Sequence, residues 1–339
     1  MTTEPMTTEL NSPDGLLNML LTLQGGACQQ LFMTRSDGSR QPIFYRAHWL
    51  NNLDSCSSQP PLMRQLGGEW VGVPFGHGDD GKYFQPEYPH GMPANSLWHW
   101  RSLTKNQTTM GYCYPESYPL RELERTIILS DDGQVFFSLR IEAREDCALP
   151  VGLHPIFPFG GDWGPLHLLG LDDIPALSYP SPPEAGVSKL LPLQPLSSIK
   201  AAPTSNGELW DLTHLPLPAK TEEIVQLLPP IHQVGLEWPR LDLQVTLDWD
   251  TEWLPYCLLW FSNGGREYAP WDGRNYCLGI EPIHSAWDSG PGAVQKNLLS
   301  EKGFSTTLSL KANKAITIKY HLTCTLLQAS VRSACGAML

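Results

Sequence analysis

Apolar and polar residues alternate with period two in several stretches of this chain, the mark of strands with one dry and one wet face. Phe137, Leu139, Ile141 and Ala143 interleave with Ser138, Arg140, Glu142 and Arg144. Leu241, Leu243, Val245, Leu247 and Trp249 alternate with Asp242, Gln244, Thr246, Asp248 and Asp250. Ile316, Ile318, Tyr320, Leu322 and Cys324 repeat the pattern after a Lys311-Ala312-Asn313-Lys314 turn. Arg125 to Ser130 is a further strand candidate, and Asp131-Asp132-Gly133 after it suits a hairpin turn, because glycine tolerates positive φ. Near the start, Gly25-Gly26-Ala27 leads into Gln29 to Thr34, a Ser36-Asp37-Gly38 turn, and then Pro42 to Tyr45.

No long amphipathic helix stands out, and the strands recur without helices of crossover length between them. The expectation is therefore an all-β protein, a large antiparallel β-sandwich, in preference to a Rossmann or TIM fold. Gln59 to Tyr118, rich in Gly, Pro, His and aromatic residues, and Ser178 to Pro218, rich in Pro, Ser and Leu, read as long loops. No boundary or repeat divides the chain. It reads as a single domain over 1–339, with a core from about 25 to 326 and short terminal extensions.

Composition narrows the function. With 41% apolar and 17% charged residues the chain is globular, and 339 residues are ample for a large core. The 12 tryptophans exceed ordinary usage; most should pack in the core, but flat aromatic faces also suit sugars, which have apolar C–H patches and a polar rim. A net charge of −12 without Lys/Arg clusters argues against nucleic acid and anionic membrane surfaces and suits a neutral small ligand. The N-terminus lacks a basic segment, and Leu16 to Leu23 is too short and interrupted for a signal peptide or membrane span, so a cytoplasmic location is expected. Cys28, Cys56, Cys113, Cys147, Cys257, Cys277, Cys324 and Cys335 are scattered without a CxxC pair, which disfavours a zinc ribbon or thioredoxin-like site and points to thiols. A monomer or simple homodimer is expected.

Candidate chemistry centres on Leu278-Gly279-Ile280-Glu281-Pro282-Ile283-His284. Glu281 closes an apolar, strand-like run and is followed at once by proline. A carboxylate there must find hydrogen bonds or shift its pKa, and it reads either as a turn carboxylate or as a general base. His154, in Leu153-His154-Pro155-Ile156-Phe157-Pro158-Phe159, is either a satisfied core histidine or a general acid. His90 falls in a Pro89-His90-Gly91 turn, and Asp211 in Trp210-Asp211-Leu212.

Taken in order, these segments resemble the aldose 1-epimerase (galactose mutarotase) superfamily, most of all its glucose-6-phosphate 1-epimerase-like branch. The likeness runs through Gly67-Gly68-Glu69-Trp70-Val71-Gly72-Val73-Pro74-Phe75-Gly76, His90-Gly91 with Trp98, His154-Pro155-Ile156-Phe157, Trp210-Asp211-Leu212, Trp260-Phe261-Ser262-Asn263 and Ile280-Glu281-Pro282. It implies a two-sheet supersandwich with an open cleft. It implies Glu281 as the base that takes the anomeric hydroxyl proton and His154 as the acid that protonates the ring oxygen. His90 would bind near the anomeric carbon and Asp211 on the far side of the ring, with Arg64, Trp260 and Asn263 as further candidate substrate contacts. Ring opening needs one proton removed and one delivered, each positioned transfer contributing about 10²–10⁴-fold, and needs no metal or other cofactor.

Ala94 stands where the branch carries an arginine, and the arginine expected before Gly67-Gly68 is missing, Arg64 being out of register. These departures point away from a sugar phosphate and toward a free aldose as substrate. Three other readings follow from the same residues: a non-catalytic carbohydrate-binding protein, a cupin-like metal isomerase using His77, His90, His99 and Glu87, and a two-carboxylate glycosidase pairing Glu281 with Asp211 or Asp288.

Overall fold

The structure, a computed structural model, describes residues 5–51 and 56–327. Among them, two large antiparallel sheets carry the fold, as the alternating pattern predicts. The nine-stranded sheet runs from an edge at His99–Leu103 through Gln107–Cys113, Leu120–Leu129, Gln134–Ala143, Ala315–Leu326, Leu243–Trp249, Gln233–Trp238 and Leu166–Leu169 to His214–Leu215. The eight-stranded sheet has Tyr276–His284 at its centre. Tyr256–Asn263 and then Thr221–Leu227 lie on one side of it, and Val151–Leu153 and Ile156–Pro158 on the other. The inner faces share one apolar core, in which Leu139, Ile141 and Leu247 of the first sheet meet Leu259, Phe261 and Ile280 of the second.

The sheets differ in their second face. Gln134–Ala143 alternates buried and less buried residues, because its outer face meets water. Thr221–Leu227 and Tyr256–Asn263 are buried at every position, because loops carrying Trp49, Trp271 and Trp287 build a second apolar cluster over the outer side of that sheet. A cleft opens within this cover.

The hairpin at 131–133 forms as expected, with Asp132 and Gly133 both at positive φ (58° and 72°). Other boundaries differ. Leu241 belongs to a 3₁₀ turn, Pro239–Leu241, and the strand begins at Leu243 after Asp242 takes φ 47°. The segment before residue 25 is no extension: Thr7–Asn11 and Leu17–Thr22 are strands of a four-stranded sheet, and their Leu10, Leu17 and Met19 enter the core. Gln59 to Tyr118 contains the hairpin of His99–Leu103 and Gln107–Cys113. A buried Thr108 in line with Met110 and Tyr112 weakened its apolar signal. The Pro-rich segment 178–218 packs inward through Leu190, Leu196, Ile199, Trp210 and Leu212. The C-terminal extension, with Cys335, lies outside the described residues.

Candidate active site

Antiparallel register brings His154 and Glu281 together. Gly152 pairs with Ile283 and Ile156 with Gly279, so His154 falls directly opposite Glu281, with side chains on the same face. Glu281 is therefore inside a strand rather than at its end, a correction to the sequence reading. The strand continues through Pro282 because no donor is missed there. The nitrogen of residue 282 points to the same side as that of Ile280, which donates to Pro155 O at 3.0 Å, and on that side the neighbouring strand is interrupted at His154-Pro155.

His154 Nε2 lies 3.1 Å from Glu281 Oε1, and both side chains are almost fully buried. Gly279 gives the carboxyl its place: a Cβ there would collide with Glu281 Oε1. Burial pushes the Glu281 carboxyl well above the usual range, reinforced by the charge of Asp288. Burial also pushes His154 down to about 3. Both shifts disfavour the charged forms, so a neutral pair with one proton between Nε2 and Oε1 is the favoured resting state. The His154 ring stacks on Trp70 at 4.1 Å, and its Nδ1 has no hydrogen-bond partner.

His90, at φ 57°, turns its ring into the same place, against Trp70, Phe75 and His154. Its Nδ1 accepts from the Gly76 backbone N–H at 3.3 Å, so the neutral ring carries its proton on Nε2 and can donate to a ligand. Burial holds its pKa well below the ordinary value, with His77 and His154 adding to the effect.

These groups line a cleft of about 180 Å³ that is open to solvent. Its walls are Trp70, Trp260, Trp271, Leu258 and Ile224, with Arg266, Asp288 and His77 as further polar groups. Trp260 is oriented by its Nε1–H, which donates to Glu222 at 3.3 Å. Arg266 stacks on Trp271 at 4.6 Å, donates to Glu184 at 3.1 Å and lies 3.8 Å from Glu222, so its charge is already matched.

Glu281, His154, His90 and Trp260 thus come together, and three other candidates do not line this cleft. Asp211 is half-buried on a loop away from the cleft, where its carboxylate accepts from Thr213 and pairs with His214 at 3.0 Å. Arg64 is exposed, and its Nε donates to Gln59 O at 2.9 Å. Asn263 is buried but faces the other way, holding Leu217 and Ala219 by its amide. Of the four groups weighed for a cupin-like metal site, His77 and His90 line the cleft, whereas His99 and Glu87 are exposed elsewhere. Among the described residues no three His, Cys, Asp or Glu side chains converge on a point where a metal could be held. Arg266, Trp271 and Glu222 carried no signal in the sequence, and Asp288 and His77 had been weighed only for other chemistries.

The two-sheet antiparallel sandwich is the galactose mutarotase-like fold, as solved structures of the same architecture show. The Slr1438 protein from Synechocystis sp. PCC 6803 superposes with a TM-score of 0.63 at 14% identity, covering 95% of this chain and 96% of that one. A galactose mutarotase related enzyme from Lactobacillus acidophilus gives 0.60 at 15% identity over 95% and 99% of the two chains. A GalM/aldose epimerase homologue from C. elegans gives 0.59 at 13% over 95% and 99%. At such identities the likeness is one of fold. No family model matches the sequence, and no curated protein does. Among the described residues no helix is long and apolar enough to cross a membrane.

Proposed function

We propose that this protein is an aldose 1-epimerase that interconverts the α and β anomers of a free aldose by general acid/base ring opening. The observation that carries the reading is the His154 Nε2–Glu281 Oε1 contact of 3.1 Å in an aromatic-walled cleft. The two groups lie side by side rather than across the width of a pyranose, and the chemistry asks for no wider separation. The anomeric hydroxyl and the ring oxygen are bonded to the same carbon, so groups serving both must lie close together.

In the forward step the shared proton passes from Glu281 to His154, and Glu281, now a carboxylate, takes the proton of the C1 hydroxyl while His154 delivers its own to the ring oxygen. The C1–ring-oxygen bond breaks, and the C1 carbonyl forms. Both groups are then neutral again, the arrangement that burial favours. Rotation about C1–C2 and closure with the roles reversed give the other anomer. In this reading His90 Nε2–H donates to an oxygen near C1, and Trp260 and Trp70 offer faces to the ring. A cytoplasmic site of action belongs to this reading. It is supported by Cys28, Cys113, Cys147, Cys257, Cys277 and Cys324, none of which forms a disulfide.

The test is the rate of anomer interconversion, followed by polarimetry or proton NMR on a panel of free aldoses and their 6-phosphates. The wild type should accelerate a free aldose, and Glu281→Gln should lose about 10²–10⁴-fold. A second reading, sugar binding without turnover, is favoured by the way His154 and Glu281 satisfy one another. No acceleration with intact binding by calorimetry would establish it.

A further inference from the structure

We propose that Asp288 is the acceptor for a ring hydroxyl of the sugar and so a specificity-determining residue of the cleft, an assignment that rests on the aldose reading. Asp288 lines the same cleft as Glu281, with its side chain 16% exposed. The nearest charged partner is His77, whose Nδ1 lies 3.8 Å from Oδ2, beyond hydrogen-bonding distance, and Oδ1 is buried with no hydrogen-bond donor. Tyr179 stands beside it and hydrogen-bonds this carboxylate, its phenol raised by burial and by the Asp288 charge, so the oxygen left without a donor is Oδ1. A buried carboxylate oxygen without a donor is costly. Oδ1 is shut off from the cleft, so a donor entering it meets Oδ2, a carboxylate oxygen with lone pairs to spare.

The backbone holds Asp288 in place. Its carbonyl accepts from His77 N at 2.9 Å, and Trp287 N–H before it donates to Gln226 at 2.6 Å. Gly76 and Gly290 let the two loops close on each other, since a Cβ on Gly76 would strike Asp288 O and one on Gly290 would strike His77 O. Such fixed placement suits a recognition group. With Glu281 and Asp288 both acids and the Arg266 charge matched by Glu184 and Glu222, the cleft offers no unmatched positive charge to an anionic group, and in the aldose reading the donor is a sugar hydroxyl.

The test pairs Asp288→Ala with the monodeoxy analogues of whichever aldose the wild type turns over fastest. With the parent sugar the variant should lose about 10–100-fold in kcat/KM, the range for a hydrogen bond to a charged group. At one ring position, removing the hydroxyl should slow the wild type but cost Asp288→Ala nothing further. Asp288→Asn, of the same shape, should fold as the wild type does, keep an acceptor and recover part of the loss, separating recognition from folding. If the losses multiply at every position, Asp288 does not touch the sugar and this assignment alone falls. A wild type that neither accelerates nor binds any aldose overturns both it and the reading beneath it.

Discussion

Glu222 lies on the same face of the sheet as Glu281, fully buried beneath Arg266, and accepts from Ser262 Oγ at 2.8 Å and from the Trp260 indole. Burial raises its carboxyl from 4.5 to about 7. The folded protein thus binds this proton more tightly than the unfolded chain does. The stabilisation is complete below pH 4.5 and is lost as the pH rises through 7, a change of about 3 kcal/mol at about 1.4 kcal/mol per pH unit. Urea unfolding of the wild type and Glu222→Gln across pH 4.5–8 should show the wild type losing about that much relative to the variant. Subtracting the two cancels the other titrating groups. Parallel curves would mean that Glu222 does not titrate in this window. Glu281 was legible as a perturbed carboxylate because an acid within an apolar run is conspicuous. Glu222, in Thr221-Glu222-Glu223, carries no such signal, since nothing local shows that both faces of that strand are covered.

At the scale of the strand, parity decides which side chains meet a ligand. In Tyr256–Asn263, Leu258, Trp260 and Ser262 face the cleft side, and Leu259, Phe261 and Asn263 face the core. Trp260 and Asn263 are separated by an odd number of residues and cannot share a face. The sequence resemblance grouped them, and alternation could not correct this, because a strand buried on both sides has no wet face to set the phase. Trp260→Ala should therefore raise KM about tenfold or more and, because the ring is buried in the outer cluster and holds Glu222, also destabilise by about 3–5 kcal/mol. Asn263→Ala should leave KM unchanged and destabilise by about 1–3 kcal/mol, because Leu217 N–H and the Leu217 and Ala219 carbonyls lose buried partners. Thermal unfolding beside initial rates of mutarotation distinguishes the two. A KM effect from Asn263→Ala would contradict the assignment of faces.

Across the whole molecule, the cleft depends on a buried ion pair between sheets. Arg125, on the inner face of the nine-stranded sheet, meets Glu69, which Tyr320 OH also reaches at 2.8 Å. Glu69 bridges to Cys28 of the four-stranded sheet and immediately precedes Trp70, the ring on which His154 stacks. Arg125 also donates to Gly26 O, so one guanidinium joins both sheets to the segment that walls the cleft. This pin explains an error of reading. Leu123, Arg125 and Ile127 form an inward row, and the arginine in it broke the apolar pattern, so the strand seemed to begin at residue 125, although it starts at Leu120. A charge without its partner in such a place is far costlier than the intact pair, and an apolar replacement of both is cheap by comparison. Arg125→Met and Glu69→Leu should each destabilise by about 3–5 kcal/mol, and the double variant by much less than their sum. Urea unfolding of the four proteins measures the coupling directly. Additive losses would mean that the two residues act independently and that the position of Trp70 is set by the backbone bridge at Cys28 instead.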